Sequence, residues 1–172
     1  MTIEERLAAL ENDRAIRDLK MRYLRSADAK DPETMRGCFT QDARIAFEGF
    51  PEFNERDPFI EAYKEFGCAA GIYDIHQGGT GIIEMTSETE ARGWWPLYFH
   101  NINLAERTLT QLGVEYEDRY VLQNGEWLIA ESRSYRKSCL IQTVDAQGSI
   151  KTVVMGDAPE AFGETGSAAG ED

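Results

Sequence analysis

The sequence predicts an α+β fold in which N-terminal helices sit against a cone-shaped, curved antiparallel sheet. Three observations carry that expectation. Helical apolar spacing is confined to the chain before about Gly67. From residue 72 onward the apolar runs read as strands instead. Asn124-Gly125, the strongest hairpin signal in the chain, falls between two of those runs. Helices gathered against one face of a meandering sheet make this class of domain.

The elements follow in order. Thr2-Ile3-Glu4-Glu5 is a capping-box pattern. Ile3, Leu7, Leu10, Ile16, Leu19 and Tyr23 then recur at helical spacing, so a helix runs to about Ser26 with Tyr23 facing inward and Asp28 at its end. Asp31-Pro32 opens a short helix through Cys38. Residues 43–47 suit a brief strand. Asp57-Pro58 repeats the start signal, and Phe59, Ile60, Tyr63 and Phe66 give an inward helical face. Strands are expected at 72–85, 91–105, 114–123 and 126–141, with a last one near 150–155.

Registers can be assigned as well. A three-residue loop at Ser87-Glu88-Thr89 sets Glu84 opposite Arg92 and His76 opposite His100, the only two histidines. A slip of one residue would send the histidines to opposite faces. A two-residue turn at Asn124-Gly125 sets Leu122 opposite Trp127, Tyr120 opposite Ile129, Asp118 opposite Glu131 and Tyr116 opposite Arg133.

The 172 residues suit one domain over 1–156, followed by a disordered acidic tail at 157–172. The net charge of −13 disfavours nucleic-acid binding, which needs a basic surface. No apolar run approaches the roughly 18 residues of a membrane span. The acidic N-terminus leads directly into a helix and does not resemble a signal peptide, so the expected location is cytoplasmic. Cys38, Cys68 and Cys139 are isolated and odd in number, which suits reduced thiols and not a disulfide or zinc framework.

The chemistry centres on the histidines. An imidazole held by a carboxylate at one nitrogen has its tautomer fixed and its other nitrogen free as a general base. His76 is the better base candidate, Asp28 its orienting carboxylate and His100 a second imidazole. Tyr23 is a buried-stripe tyrosine suited to donate to a developing oxyanion. A metal site of His76, His100 and Asp28 ranks below this metal-free reading, because close local ligand spacing is absent. Asp118 and Glu131, as like charges in contact, would leave one of them partly protonated or need Arg133 or Arg119 beside them. A substrate pocket is expected from Tyr63, Trp94, Tyr98, Tyr116, Tyr120 and Arg133. Trp95 and Phe99, on the other face, would then be exposed and form a subunit interface. No P-loop, dinucleotide fingerprint or nucleophile elbow occurs.

Several stretches together resemble the SnoaL-like branch of the nuclear-transport-factor-2-like superfamily, and within it the scytalone dehydratase and bile acid 7α-dehydratase group. They are Arg22-Tyr23 with Asp28 five residues on, Phe39 followed by Asp42-Ala43, His76 on the first long strand, and Tyr116-Glu117-Asp118-Arg119-Tyr120 running into Asn124-Gly125-Glu126-Trp127. The resemblance covers roughly residues 5–136. It implies the cystatin-like α+β barrel and an acid–base centre of Tyr23, Asp28 and His76, with His100 an approximate match to a second histidine. It also implies no metal or cofactor, a small hydrophobic substrate and a homo-oligomer, trimer or dimer. The carboxylate that the bile acid enzymes use in the His100 region has no counterpart here. The superfamily further includes cofactor-free lyases that deformylate lignin-derived diaryl diols, isomerases, epoxide hydrolases and catalytically silent subunits. The expected activity is therefore a cofactor-independent lyase for a bulky hydroxylated aromatic or polycyclic molecule, by loss of water or retro-aldol loss of formaldehyde. A double-bond isomerase and a non-catalytic ligand binder are the alternatives.

Overall fold

Thr2 and Glu5 cap the first helix reciprocally, the Thr2 hydroxyl accepting from the Glu5 N–H at 3.2 Å and the Glu5 carboxylate from the Thr2 N–H at 2.8 Å. Helix α1 (Ile3–Asp28) buries Ile16, Leu19, Lys20, Tyr23, Leu24 and Ala27, while Ile3, Leu7 and Leu10 stay exposed. The computed structural model describes residues 2–156, so the expected tail at 157–172 lies outside the described residues. Helix α2 (Pro32–Arg36) starts on the Asp31 cap, whose carboxylate accepts from the Thr34 N–H at 3.0 Å. Helix α3 (Arg56–Phe66) starts earlier than Asp57-Pro58 suggests. Its N-cap is Glu55, with no side-chain cap bond, and Asp57 lies within the first turn.

The sheet has seven strands among the described residues: β1 (Phe39–Phe47), β2 (Ile72–Gly78), β3 (Ile82–Met85), β4 (Glu90–Asn103), β5 (Thr108–Gln123), β6 (Glu126–Val144) and β7 (Ile150–Gly156). Its order is β1-β6-β5-β4-β2, with β3 on β4 and β7 on β6, so it curves without closing. Most pairs are antiparallel, but β1 runs parallel to β6, which makes the sheet mixed. That parallel pair follows from the connection. Helix α3 and four further strands separate β1 from its partner, so no hairpin dictates its sense.

The predicted single strand over 72–85 is two strands, and the break moves the register. Glu84 does sit opposite Arg92 in β3–β4. In β2–β4, however, His76 is opposite Phe99 and His100 opposite Ile75. Between the two ladders, Gly79, Thr80 and Gly81 face only Trp95 and Pro96, which is a bulge. Pro96 has no N–H to offer a ladder, but its carbonyl accepts from the Gly79 N–H at 2.8 Å. Gly81 is required by crowding: a Cβ there would stand 2.2 Å from the Trp95 ring. Gly81→Ala is expected to destabilise the fold by about 1–3 kcal/mol through overpacking, read as a lower urea midpoint at unchanged slope.

Asn124-Gly125 forms the predicted turn, and Leu122↔Trp127 and Tyr120↔Ile129 pair as expected. Beyond them Ala130 is an extra residue, and both Ile129 and Ala130 are buried. Asp118 therefore meets Ser132, not Glu131, and Tyr116 meets Ser134, not Arg133. Both arginines lie instead with Glu131, Arg133 at 2.8 Å and Arg119 at 3.9 Å.

Aromatic side chains pack between α1 and the sheet. Tyr23, Phe39, Phe59, Phe47 and Tyr116 pack edge to face in sequence, with ring centroids 5.2, 5.6, 5.8 and 5.5 Å apart. Below them is a buried ion pair. The Lys20 ammonium donates to Asp118 at 2.7 Å, with neither side chain exposed. Tyr120 and Ser132 hydroxyls also donate to Asp118, each at 2.7 Å, and the ammonium lies 3.8 Å from the Tyr116 ring centroid. Burial pushes the Lys20 ammonium below its ordinary pKa, and Asp118 counters that fall.

Candidate active site

The end of α1 and strand β2 meet at Asp28 and His76. The Asp28 carboxylate lies 2.7 Å from His76 Nδ1 and also accepts from the His76 backbone N–H, at 2.9 and 3.2 Å to its two oxygens. A carboxylate only accepts, so Nδ1 carries the proton and Nε2 is left as a base. The pair is part-exposed, 16% for the His76 side chain and 31% for Asp28, so a reactant can reach it. Phe99, directly opposite on β4, tilts its ring against the imidazole at 4.8 Å between centroids.

Tyr23 lies deeper on α1, 3% exposed and beside Tyr116. Burial, then the neighbouring Tyr116 and Asp118, push its pKa well above that of a free phenol. Its hydroxyl accordingly stays protonated through the neutral range and can donate. On α3, Tyr63 donates to the Ala27 carbonyl at 2.8 Å, and burial raises its pKa as well.

Several expected site residues lie elsewhere. The bulge puts His100 on the outer face of the sheet, away from His76, so His76, His100 and Asp28 do not converge as a metal-ligand set. Among the described residues no other group of three His, Cys, Asp or Glu is placed to hold a metal ion. Trp94 and Tyr98 share the outer face with His100. Conversely Trp95, 2% exposed, and Phe99 point inward, opposite to the expected interface. The exposed apolar residues of the outer face include Tyr73, Ile75, Ile82, Tyr98 and Ile102. Tyr120 is buried on Asp118. Arg133 faces outward and lines a surface cleft of about 280 Å³ with Phe47, Phe50 and Tyr135. A second cleft, of about 450 Å³, runs beside α1 along Met21, Arg25 and Thr34. Neither cleft includes His76.

A SnoaL-like domain matches residues 8–133. The chain belongs to the SnoaL-like family. Solved structures agree on the fold. A putative scytalone dehydratase from Novosphingobium aromaticivorans is 21% identical, with a TM-score of 0.71 over 77% of this chain and 88% of that one. The hexachlorocyclohexane dehydrochlorinase LinA-type3 from Novosphingobium barchaimii is 15% identical, with a TM-score of 0.70 over 89% and 98%. ActVI-ORFA from Streptomyces coelicolor is 13% identical, with a TM-score of 0.62 over 73% and 97%. At these identities the likeness establishes the SnoaL-like fold alone. No helix among the described residues is long and apolar enough to cross a membrane.

Two groups of residues were not singled out from the sequence. Lys20 lies on the buried stripe between Ile16 and Tyr23, a charge inside an apolar face that was a readable signal. Lys30, Asp74 and Asn101 form a polar cluster beside His76. Their signal was weaker, since each depends on the β2–β4 register.

Proposed function

We propose that the chain is a cofactor-independent lyase acting on a bulky hydroxylated aromatic or polycyclic molecule. The observation that carries this reading is the Asp28–His76 pair, a tautomer-fixed imidazole on a part-exposed face. His76 Nε2 takes a proton and Asp28 stabilises the imidazolium that forms. In a dehydration, the proton leaves carbon, its electron pair forms the double bond, and the departing hydroxyl is protonated to water. In a retro-aldol-type loss of formaldehyde, the proton leaves a primary hydroxyl as the adjacent carbon–carbon bond breaks, that bond's electron pair forms the double bond, and the neighbouring hydroxyl departs, protonated to water. Tyr23 supplies a neutral hydroxyl toward the developing oxyanion, relayed or supported by Tyr116. Two similar proteins carry elimination in their names, dehydratase and dehydrochlorinase, which supports elimination over other chemistry on this fold.

Tyr23→Phe is expected to lower turnover by about 10²- to 10⁴-fold. The Tyr23 pKa lies above the ordinary phenol value of 10.0, so its ionisation does not set an alkaline limb below that pH. A pH profile of the variant should therefore be lower everywhere and unchanged in shape at its alkaline end. A panel of aromatic and polycyclic alcohols with mass detection tests the function itself. Loss of water or release of formaldehyde supports the lyase. Unchanged mass with a moved double bond indicates an isomerase, and a tight complex that returns its ligand intact indicates a binding protein. The outer-face residues Tyr73, Ile75, Tyr98 and Ile102 support a homo-oligomer, dimer or trimer, assembled through that surface.

A further inference from the structure

Asp28 and His76 are not the only link between the end of α1 and β2. Two residues after Asp28, Lys30 turns through a left-handed conformation, φ 56°, and its ammonium pairs with Asp74, two residues before His76. The chain advances by two on one side and retreats by two on the other, so the contacts are parallel rungs of one ladder. Asp74 shares the inward face of β2 with His76, about 6.6 Å away along the strand. Its second oxygen accepts from the Asn101 amide at 2.7 Å, across the sheet on β4. The Asp74 side chain is 8% exposed and that of Lys30 25%.

We infer that Lys30 and Asp74 are positioning residues for the base. They pin the helix end to β2 and cancel the charge that either alone would place beside the imidazole. Every charged or titratable neighbour on this face enters the balance. Asp28 comes from α1, Lys30 from the turn after it, Tyr63 and the neighbouring Cys68 from α3 and the residues following it, and Asp74 from β2 itself. From β4 come only Phe99 and Asn101, which carry no charge. With the rung intact, Lys30 offsets Asp74, and Asp28 alone dominates the imidazole's surroundings.

Removing either member leaves the other's charge uncompensated, in opposite senses. Lys30→Met leaves a carboxylate that favours the imidazolium, so His76 protonates at higher pH. Asp74→Asn leaves an ammonium that disfavours it, so His76 protonates at lower pH. Each displacement should be roughly 0.5–1 pH unit. A role that is only structural predicts no such opposition.

The inference rests on the reading of His76 as the base for its meaning in catalysis, but its test needs no substrate. Imidazole resonances of the full chain are titrated by NMR in wild type, Lys30→Met, Asp74→Asn and the double variant. His76→Asn identifies the signal, and His100, on the outer face, serves as the internal reference. The expected result is a rise for Lys30→Met, a fall for Asp74→Asn, a return toward wild type in the double variant and a constant His100. Lys30→Arg should keep the wild-type midpoint. If Lys30→Met does not fold, Asp74→Asn and Lys30→Gln carry the same test. A His76 midpoint that stays put, or moves the same way in both single variants, overturns the inference and leaves the lyase reading standing. Conversely, undiminished turnover in His76→Ala removes the lyase reading whatever the titration gives.

Discussion

His76→Ala should lower turnover by about 10²- to 10⁴-fold while the melting temperature changes little. The first part follows from the loss of general-base catalysis, to which such factors attach. The second follows from position. The His76 side chain is part-exposed, and the backbone N–H that also holds Asp28 is retained in the variant. Asp28→Asn should cost a similar factor for a different reason. An amide can offer Nδ1 either its oxygen or its NH₂, so the tautomer is no longer fixed, and the imidazolium loses its countercharge. The two losses act on one unit, so the double variant should be scarcely worse than either single one. Independent roles would instead multiply the two factors. Initial rates of the four proteins with one substrate decide between these outcomes.

The second large effect concerns folding. Lys20→Met leaves the Asp118 carboxylate buried with only the Tyr120 and Ser132 hydroxyls as partners. Asp118→Asn strands the ammonium under the aromatic rings of Tyr116 and Tyr23. Either change should cost about 3–5 kcal/mol, because an uncompensated charge remains where no water reaches it. Removing both charges with Lys20→Met and Asp118→Asn together should recover much of that loss, since the desolvation of the pair disappears with it. Urea unfolding of the three variants gives the coupling directly. Additive losses would mean that the two groups stabilise the fold independently of each other.

The parts of this molecule that were legible in the sequence are those fixed by neighbours in the chain. The Thr2–Glu5 capping box, the Asp31 cap and the Asn124-Gly125 turn each need only a few consecutive residues, and each formed as read. The Asp28–His76 contact spans 48 residues yet was anticipated, because a resemblance supplied what spacing could not. What was misread depends on single inserted residues. Ala130 moved Glu131 off Asp118, and Gly79-Thr80-Gly81 moved His100 off His76. The tract Gly78-Gly79-Thr80-Gly81 does advertise a bulge. Its effect on register is decided by the Trp95 indole packing against Gly81, a contact that no local pattern reveals. The same slip explains why Trp95 and Phe99 point inward while Trp94 and Tyr98 point out. Lys20 found its partner 98 residues away, beyond any reading of the helix alone.

The central claim is that His76, held by Asp28, removes a proton in an elimination. The most direct measurement is the product mass and formaldehyde released from a diaryl diol or polycyclic alcohol, for wild type and His76→Ala at equal folded concentration. The account predicts a wild-type product lighter by water, or released formaldehyde, with almost none from His76→Ala. A product of unchanged mass, or elimination at the same rate by the variant, would contradict it.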